Sequence, residues 1–208
     1  MSSVNIGVLI SGSGTNLQAL IDSIDKGYIN GKIKVVISNR KDAYGLVRAR
    51  KNLIEALYIN RKEFNSDIEF DLKILDELEK RQVELVVLAG YLKVLSKEFV
   101  NRYKNRIINI HPSLIPSFCG KGYYGEKVHR AVLDYGVKIT GATVHFVDEG
   151  ADTGPIILQE AVFVDDNDTV DTLKERVLEI EHKLLPMAVK LFCENKLEVI
   201  GRKVIIKY

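Results

Sequence analysis

Val4-Asn-Ile-Gly-Val-Leu-Ile10 is a short apolar run that stops at Ser11-Gly-Ser-Gly-Thr-Asn16. A run of this length closed by turn residues reads as a buried strand. From Asn16 onward Leu17, Leu20, Ile21 and Ile24 keep helical spacing, and Gly27 can end that helix. The alternation continues outward. Residues 34–38 and 56–59 read as strands, with a helix over 44–52 between them. A Leu72, Leu75, Leu78 stripe predicts a helix over 70–81, and 83–89 and 106–110 are further strands. Strands alternating with helices predict a doubly wound, mostly parallel α/β sheet with both faces covered. After Gly141 the pattern changes: 143–147 and 155–164 follow without an intervening helix, which predicts antiparallel additions. A long amphipathic helix over 169–193 comes next, with Pro186 predicting a kink or break. A small hairpin around Gly201 closes the chain. No repeat or linker divides the sequence, so a single domain over 1–208 is expected.

Bulk properties exclude several classes. The chain has 30 basic and 28 acidic residues, a net charge of +2, without the basic excess of a nucleic-acid binder. Cys119 and Cys193 are too few for a disulfide framework, and no CxxC or Cys/His cluster suggests a metal. The start lacks a signal-peptide pattern, and no apolar run approaches the ~20 residues needed to span a bilayer. A cytoplasmic setting and small-molecule partners, without membrane or nucleic acid, are therefore expected. Nothing in these features points to an oligomeric state.

In an open parallel sheet, ligands bind beyond the carboxyl ends of the strands. The small residues of the loop 11–16 let backbone N–H groups approach an anion at a helix N-terminus. The loop lacks the Lys-Ser/Thr ending of a Walker A motif, and GxGxxG fails at Leu17. A tight turn capped by Ser13 or Thr15 fits it as well. Asn109 and His111 flank Ile110 at a strand end, so period-two geometry puts both on one side. An amide donor beside an imidazole suits a reaction passing through an oxyanion, and a hydrogen-bonded strand-end histidine is the plain alternative. Asp148, Glu149 and Asp152 lie in a glycine-bearing stretch. One of them near His111 would favour the imidazolium; otherwise the stretch is a solvated acidic loop. His145 reads as a satisfied, partly buried histidine, and no local feature selects His129 or His182.

Five stretches, in order, resemble the glycinamide ribonucleotide (phosphoribosylglycinamide) formyltransferase family of folate-dependent enzymes. They are Val8-Leu-Ile-Ser-Gly-Ser-Gly-Thr-Asn-Leu-Gln18, Val87-Leu-Ala-Gly-Tyr-Leu-Lys-Val-Leu-Ser96, Ile108-Asn-Ile-His-Pro-Ser-Leu-Ile-Pro-Ser117, Gly141-Ala-Thr-Val-His-Phe-Val147 and Asp152-Thr-Gly-Pro-Ile-Ile157. The resemblance covers nearly the whole chain. It implies transfer of the formyl group of 10-formyltetrahydrofolate to the amine of 5-phosphoribosylglycinamide, a step of purine biosynthesis, with no metal. By position, Asn109, His111 and Asp152 match the family's catalytic trio. Gly14, Thr15 and Asn16 match its ribonucleotide-phosphate segment, and Glu181 matches a carboxylate on the ribonucleotide. Leu92, Lys93, Val94 and Leu95, with Asn109, match the folate site. The implied mechanism has Asn109 and protonated His111 stabilising an oxyanion, with Asp152 raising the His111 pKa.

Two features depart from the family pattern. Asp67 stands where some members carry a basic residue near the folate tail, with Arg61 or Lys62 as substitutes. The stretch Cys119-Gly-Lys-Gly-Tyr-Tyr-Gly125 is longer than its counterpart in some members, and reads as a flap or a rigid turn. Three rival functions share parts of this pattern with the transferase. The absence of a leading regulatory domain argues against a formyltetrahydrofolate hydrolase. The absence of an RNA-binding C-terminal domain argues against a transfer-RNA formyltransferase. The trio argues against a non-catalytic sensor of phosphorylated ligands.

Overall fold

The computed structural model describes residues 3–207. Five parallel strands form its first half: β1 (Val4–Ile10), β2 (Gly31–Ser38), β3 (Ala56–Tyr58), β4 (Leu85–Leu88) and β5 (Ile107–His111). Then β6 (Ile139–Phe146) and β7 (Ile156–Phe163) add antiparallel. The hairpin β8 (Leu197–Ile200) and β9 (Lys203–Ile206) completes the order β3-β2-β1-β4-β5-β6-β7-β9-β8. β4 is buried along its whole length, as a parallel strand covered on both faces must be.

Alternation along each strand feeds two cores. Ile6, Val8 and Ile10 of β1 face α1 (Thr15–Asp25), α2 (Tyr44–Lys51), α5 (Glu126–Tyr135) and α6 (Val170–Cys193). Leu9 of β1 and Val35 and Ile37 of β2 face α3 (Asp67–Glu79) and α4 (Lys97–Arg102).

Several boundaries differ from the sequence reading. α3 starts at Asp67, not at residue 70, because the Ser66 side chain accepts from Glu69 N and two acidic residues fill its first turn. α4 is a six-residue helix that the sequence reading left out, capped by Ser96. Pro186 does not break α6, which runs unbroken over 24 residues. The missing N–H costs one backbone bond, and the buried Leu184, Leu185, Ala188 and Val189 hold both sides of it in the core.

The strand order reverses between the parallel neighbours β1 and β4, so a crevice opens beyond their carboxyl ends. Gly14, left-handed at φ 71, turns the chain there into α1. A Cβ on it would lie 2.6 Å from Gly45 Cα, so a glycine pair brings α2 against the loop, where Gly45 N–H donates to Gly12 O at 3.1 Å.

Candidate active site

Two adjoining clefts occupy the crevice. One, of about 420 Å³, is lined by Ser11 to Asn16, Arg40, His129, Lys174 and Glu181. The other, of about 290 Å³, is lined by Leu92 to Leu95, Asn109, His111, His145, Asp152 and the 120–125 loop. They share Gly90, Leu92, Ile110, Pro112 and Gly125. The structure thus brings Gly14, Thr15, Asn16 and Glu181 to one cleft and Leu92, Lys93, Val94, Leu95, Asn109, His111 and Asp152 to the other, at one end of the sheet.

The first cleft is built on the turn into α1. Neither Ser13 nor Thr15 caps that helix, which has no side-chain cap at all. Its first-turn N–H groups are left to whatever enters the cleft, and Arg40 and Lys174 line it, paired with Asp42 and Glu126. Glu181 is buried and accepts a hydrogen bond from Asn16 Nδ2 at 2.7 Å. Burial pushes its carboxyl up to about 7, against the opposing pull of Asn16. Buried Ser11, which the sequence reading did not single out, ties three segments together. Its hydroxyl donates to Asn39 Oδ1 at 2.7 Å and accepts from Leu92 N–H at 3.0 Å.

The raised Glu181 carboxyl has a consequence for stability. The folded state holds this proton up to about pH 7, whereas an unfolded glutamate releases it near 4.5. Stability therefore falls as pH rises from about 4.5 to about 7 and levels off above, a loss of up to about 3 kcal/mol. Glu181→Gln is expected to match the wild type in urea denaturation at pH 4.5 and to exceed it at pH 8. Equal differences at both pH values would show that Glu181 ionises normally.

The second cleft has an apolar wall: Leu95 is buried, Leu92 and Val94 are exposed. Lys93 Nζ lies 5.5 Å from the Phe70 ring centroid and pairs with Asp67 at 2.6 Å. Asp67 also pairs with Arg61, and these two cations hold its carboxyl well below the usual range. Asp67 therefore bridges both neighbouring cations, and the group of three keeps a net positive charge, instead of Asp67 standing as a lone acid by the cleft.

The trio meets at the ends of β5 and β6. Asn109 faces His145 across the strand pair, and Asn109 Nδ2 lies 3.1 Å from His145 Nε2 and 3.4 Å from Asp152 Oδ1. Asp152, at φ 57, receives Gly120 N–H on Oδ2 at 2.9 Å, and that oxygen lies 3.6 Å from His111 Nδ1. Asp148 and Glu149 do not join this group: Asp148 accepts from Gly150 N–H and Thr153 Oγ1, and Glu149 pairs with Lys97.

His111 Nε2 donates to Phe118 O at 2.9 Å, since a carbonyl can only accept. Neutral His111 therefore turns a bare Nδ1 toward Asp152, and protonation there converts a lone-pair clash into an ion pair. Asp152 raises the His111 pKa as expected, but burial outweighs it and the net value lies below the usual 6.5. At rest His111 Nε2 is held by Phe118 O, while Nδ1 faces Asp152 Oδ2 at 3.6 Å, beyond hydrogen-bond distance.

Among the described residues no cluster of His, Cys, Asp and Glu could hold a metal ion, and no helix is long and apolar enough to cross a membrane. Residues 4–189 match the formyl transferase family model. The chain is 42% identical over 194 residues to the phosphoribosylglycinamide formyltransferase of Haemophilus influenzae, covering 93% of this chain and 89% of that protein. It is 45% identical over 196 residues to the trifunctional purine biosynthetic protein adenosine-3 of Gallus gallus, covering 94% of this chain but only 19% of that protein's length. The crystal structure of glycinamide ribonucleotide transformylase 1 from Symbiobacterium toebii superimposes with a TM-score of 0.94 at 47% identity, covering 99% of this chain and 94% of that one. A mostly parallel sheet with antiparallel C-terminal strands is thus shared, nearly end to end, with the transformylase structure, and the chain belongs to the formyl transferase family, within its phosphoribosylglycinamide formyltransferases.

Proposed function

We propose that the chain, acting as one catalytic domain in the cytoplasm, transfers the formyl group of 10-formyltetrahydrofolate to the amine of 5-phosphoribosylglycinamide. The observation that carries this reading is the junction of an N–H-rich cleft, lined by Arg40 and Lys174, with an apolar one beside Asn109. The first suits a ribose phosphate and the second a pterin ring. Gly14, Thr15 and Asn16 would hold the phosphate, with Glu181 deeper in the same cleft. Leu92, Lys93, Val94, Leu95 and Asn109 would hold the folate.

The chemistry follows from these positions. The amine nitrogen attacks the formyl carbon, and the carbonyl electrons move onto oxygen. Asn109 would donate to that oxyanion. His111 would act through the charge of its imidazolium, and directly only where Nε2 leaves Phe118 O. Asp152 favours that imidazolium. The bond to the folate nitrogen then breaks, the folate nitrogen gains a proton and the new amide nitrogen loses one. No step here calls for a metal. The test is a transfer assay on the purified chain: ribonucleotide-dependent loss of formyl donor with formylated product supports the reading. Equal loss without ribonucleotide, releasing formate, would make the chain a hydrolase.

Gly14 is a poor place to probe the phosphate site, because any side chain there strikes Gly45. Gly12 is a better one. A Cβ on it meets nothing within 4 Å, and the residue lines the ribonucleotide cleft. Gly12→Val is expected to raise KM for the ribonucleotide about tenfold or more, as two added methyl groups crowd the anion. KM for the folate should move less than about twofold, and equal shifts in both would remove the phosphate from this loop.

A further inference from the structure

His145 belongs to neither the phosphate cradle nor the apolar wall, yet it is buried and in contact with the reacting end of the site. We propose that His145 is a positioning residue for Asn109, holding its amide so that an N–H, and not the carbonyl oxygen, faces the developing oxyanion. The proposal rests on the role given to Asn109 above.

The backbone sets up the contact. Asn109 and His145 are direct partners in the antiparallel pairing of β5 with β6, so their side chains leave the sheet as neighbours. The pairing of β6 with β7 shifts register between Val144 and His145, and such a bulge re-aims the side chain beside it. On its other side, His145 Nδ1 lies 2.8 Å from Phe146 O. A carbonyl only accepts, so Nδ1 carries a proton, and in the neutral ring Nε2 keeps a bare lone pair. That lone pair, 3.1 Å from Asn109 Nδ2 and 3.6 Å from Asp152 Oδ1, can only receive an N–H, and of these two neighbours only the amide offers one. Turning the amide over would set Asn109 Oδ1 against both the lone pair and the Asp152 carboxylate. One amide hydrogen is thus fixed on His145. The other leans on Asp152 Oδ1 across a long 3.4 Å contact, and this is the hydrogen an oxyanion can capture.

A purely structural His145 would be satisfied by the same bonds, so the test has to read Asn109. His145→Leu removes the acceptor, while His145→Gln can set a carbonyl oxygen near the place of Nε2. His145→Leu is expected to lower kcat about tenfold or more, with both KM values within about twofold. His145→Gln should recover kcat to within about fivefold of wild type, because it restores the acceptor. In an Asn109→Ala background, His145→Leu should add no further loss, since the amide it orients is gone. Nitrogen-15 NMR of the intact protein should show His145 protonated on Nδ1 and bare on Nε2. Wild-type kcat in His145→Leu, independent losses in the double variant, or an Nε2-protonated His145 would each overturn the proposal. Should His145→Leu fail to fold, His145→Gln and the NMR measurement decide it alone. Wild-type kcat in Asn109→Ala would instead remove Asn109 from the chemistry and the proposal with it, whatever the His145 tautomer.

Discussion

Asp152→Asn is expected to lower kcat by about 10²-fold or more while leaving ribonucleotide affinity near wild type, because the change removes a charge and almost no volume. The carboxylate opposes the burial that drives the His111 pKa down. With asparagine in its place burial acts unopposed, so His111 should titrate at lower pH than in the wild type. The wild-type value should itself lie below 6.5. The sign of the rate effect follows: a reaction that uses the imidazolium loses rate as pH rises, and the variant loses it from a lower starting pH. An asparagine oxygen can still accept from Gly120 N–H, so the 120–125 loop should keep its anchor. Proton NMR titration of His111 in both proteins, with steady-state kinetics across pH, checks both halves. An unmoved His111 titration together with a wild-type kcat would reduce Asp152 to a loop anchor.

How much of this was legible in the sequence depended on whether the signal was local. β1, the turn after it and α1 were readable from one apolar run, one cluster of small residues and one helical stripe, because each is decided within a few residues. α5 was not named at all, although Val128 and Val132 hold helical spacing ahead of Gly136, which is its left-handed C-cap. Glycines 120, 122 and 125, all at positive φ, drew the reading toward a loop that in fact ends where α5 begins. Asn109 and His111 could be paired by strand period alone. His145 could not be joined to them, since its contact arises from the register of β5 on β6, a long-range choice no local pattern encodes. The Ser11 bonds to Asn39 and Leu92 are of the same kind. The upward pull of Asp152 on the His111 pKa could be named from sequence, while the depth of burial that outweighs it could not.

Asn109→Ala is expected to lower kcat and kcat/KM together, by about 10²- to 10³-fold, the usual loss when one oxyanion donor of about 2.7–4 kcal/mol is removed. The donor matters chiefly in the transition state, because the oxygen it meets carries full charge only there. At rest its two hydrogens lie toward His145 and Asp152, so the folded protein already holds an N–H beside the place where charge develops. Reorganisation at the moment of reaction is then small, which is what makes such a donor effective. Alanine leaves His145 Nε2 and Asp152 Oδ1 without that partner, so some loss of stability is expected too, and urea denaturation should accompany the kinetics. Asn109→Asp is the sharper companion. It keeps the shape, but its anion lies beside Asp152 and offers no hydrogen to an oxyanion. Its kcat should be no higher than that of alanine at neutral pH. It should recover only where the new carboxyl takes up a proton and becomes a donor, giving a rate that rises toward acid relative to Asn109→Ala. A flat ratio of the two variants across pH, with each close to wild type, would mean that the oxyanion finds its hydrogen bond elsewhere in the cleft.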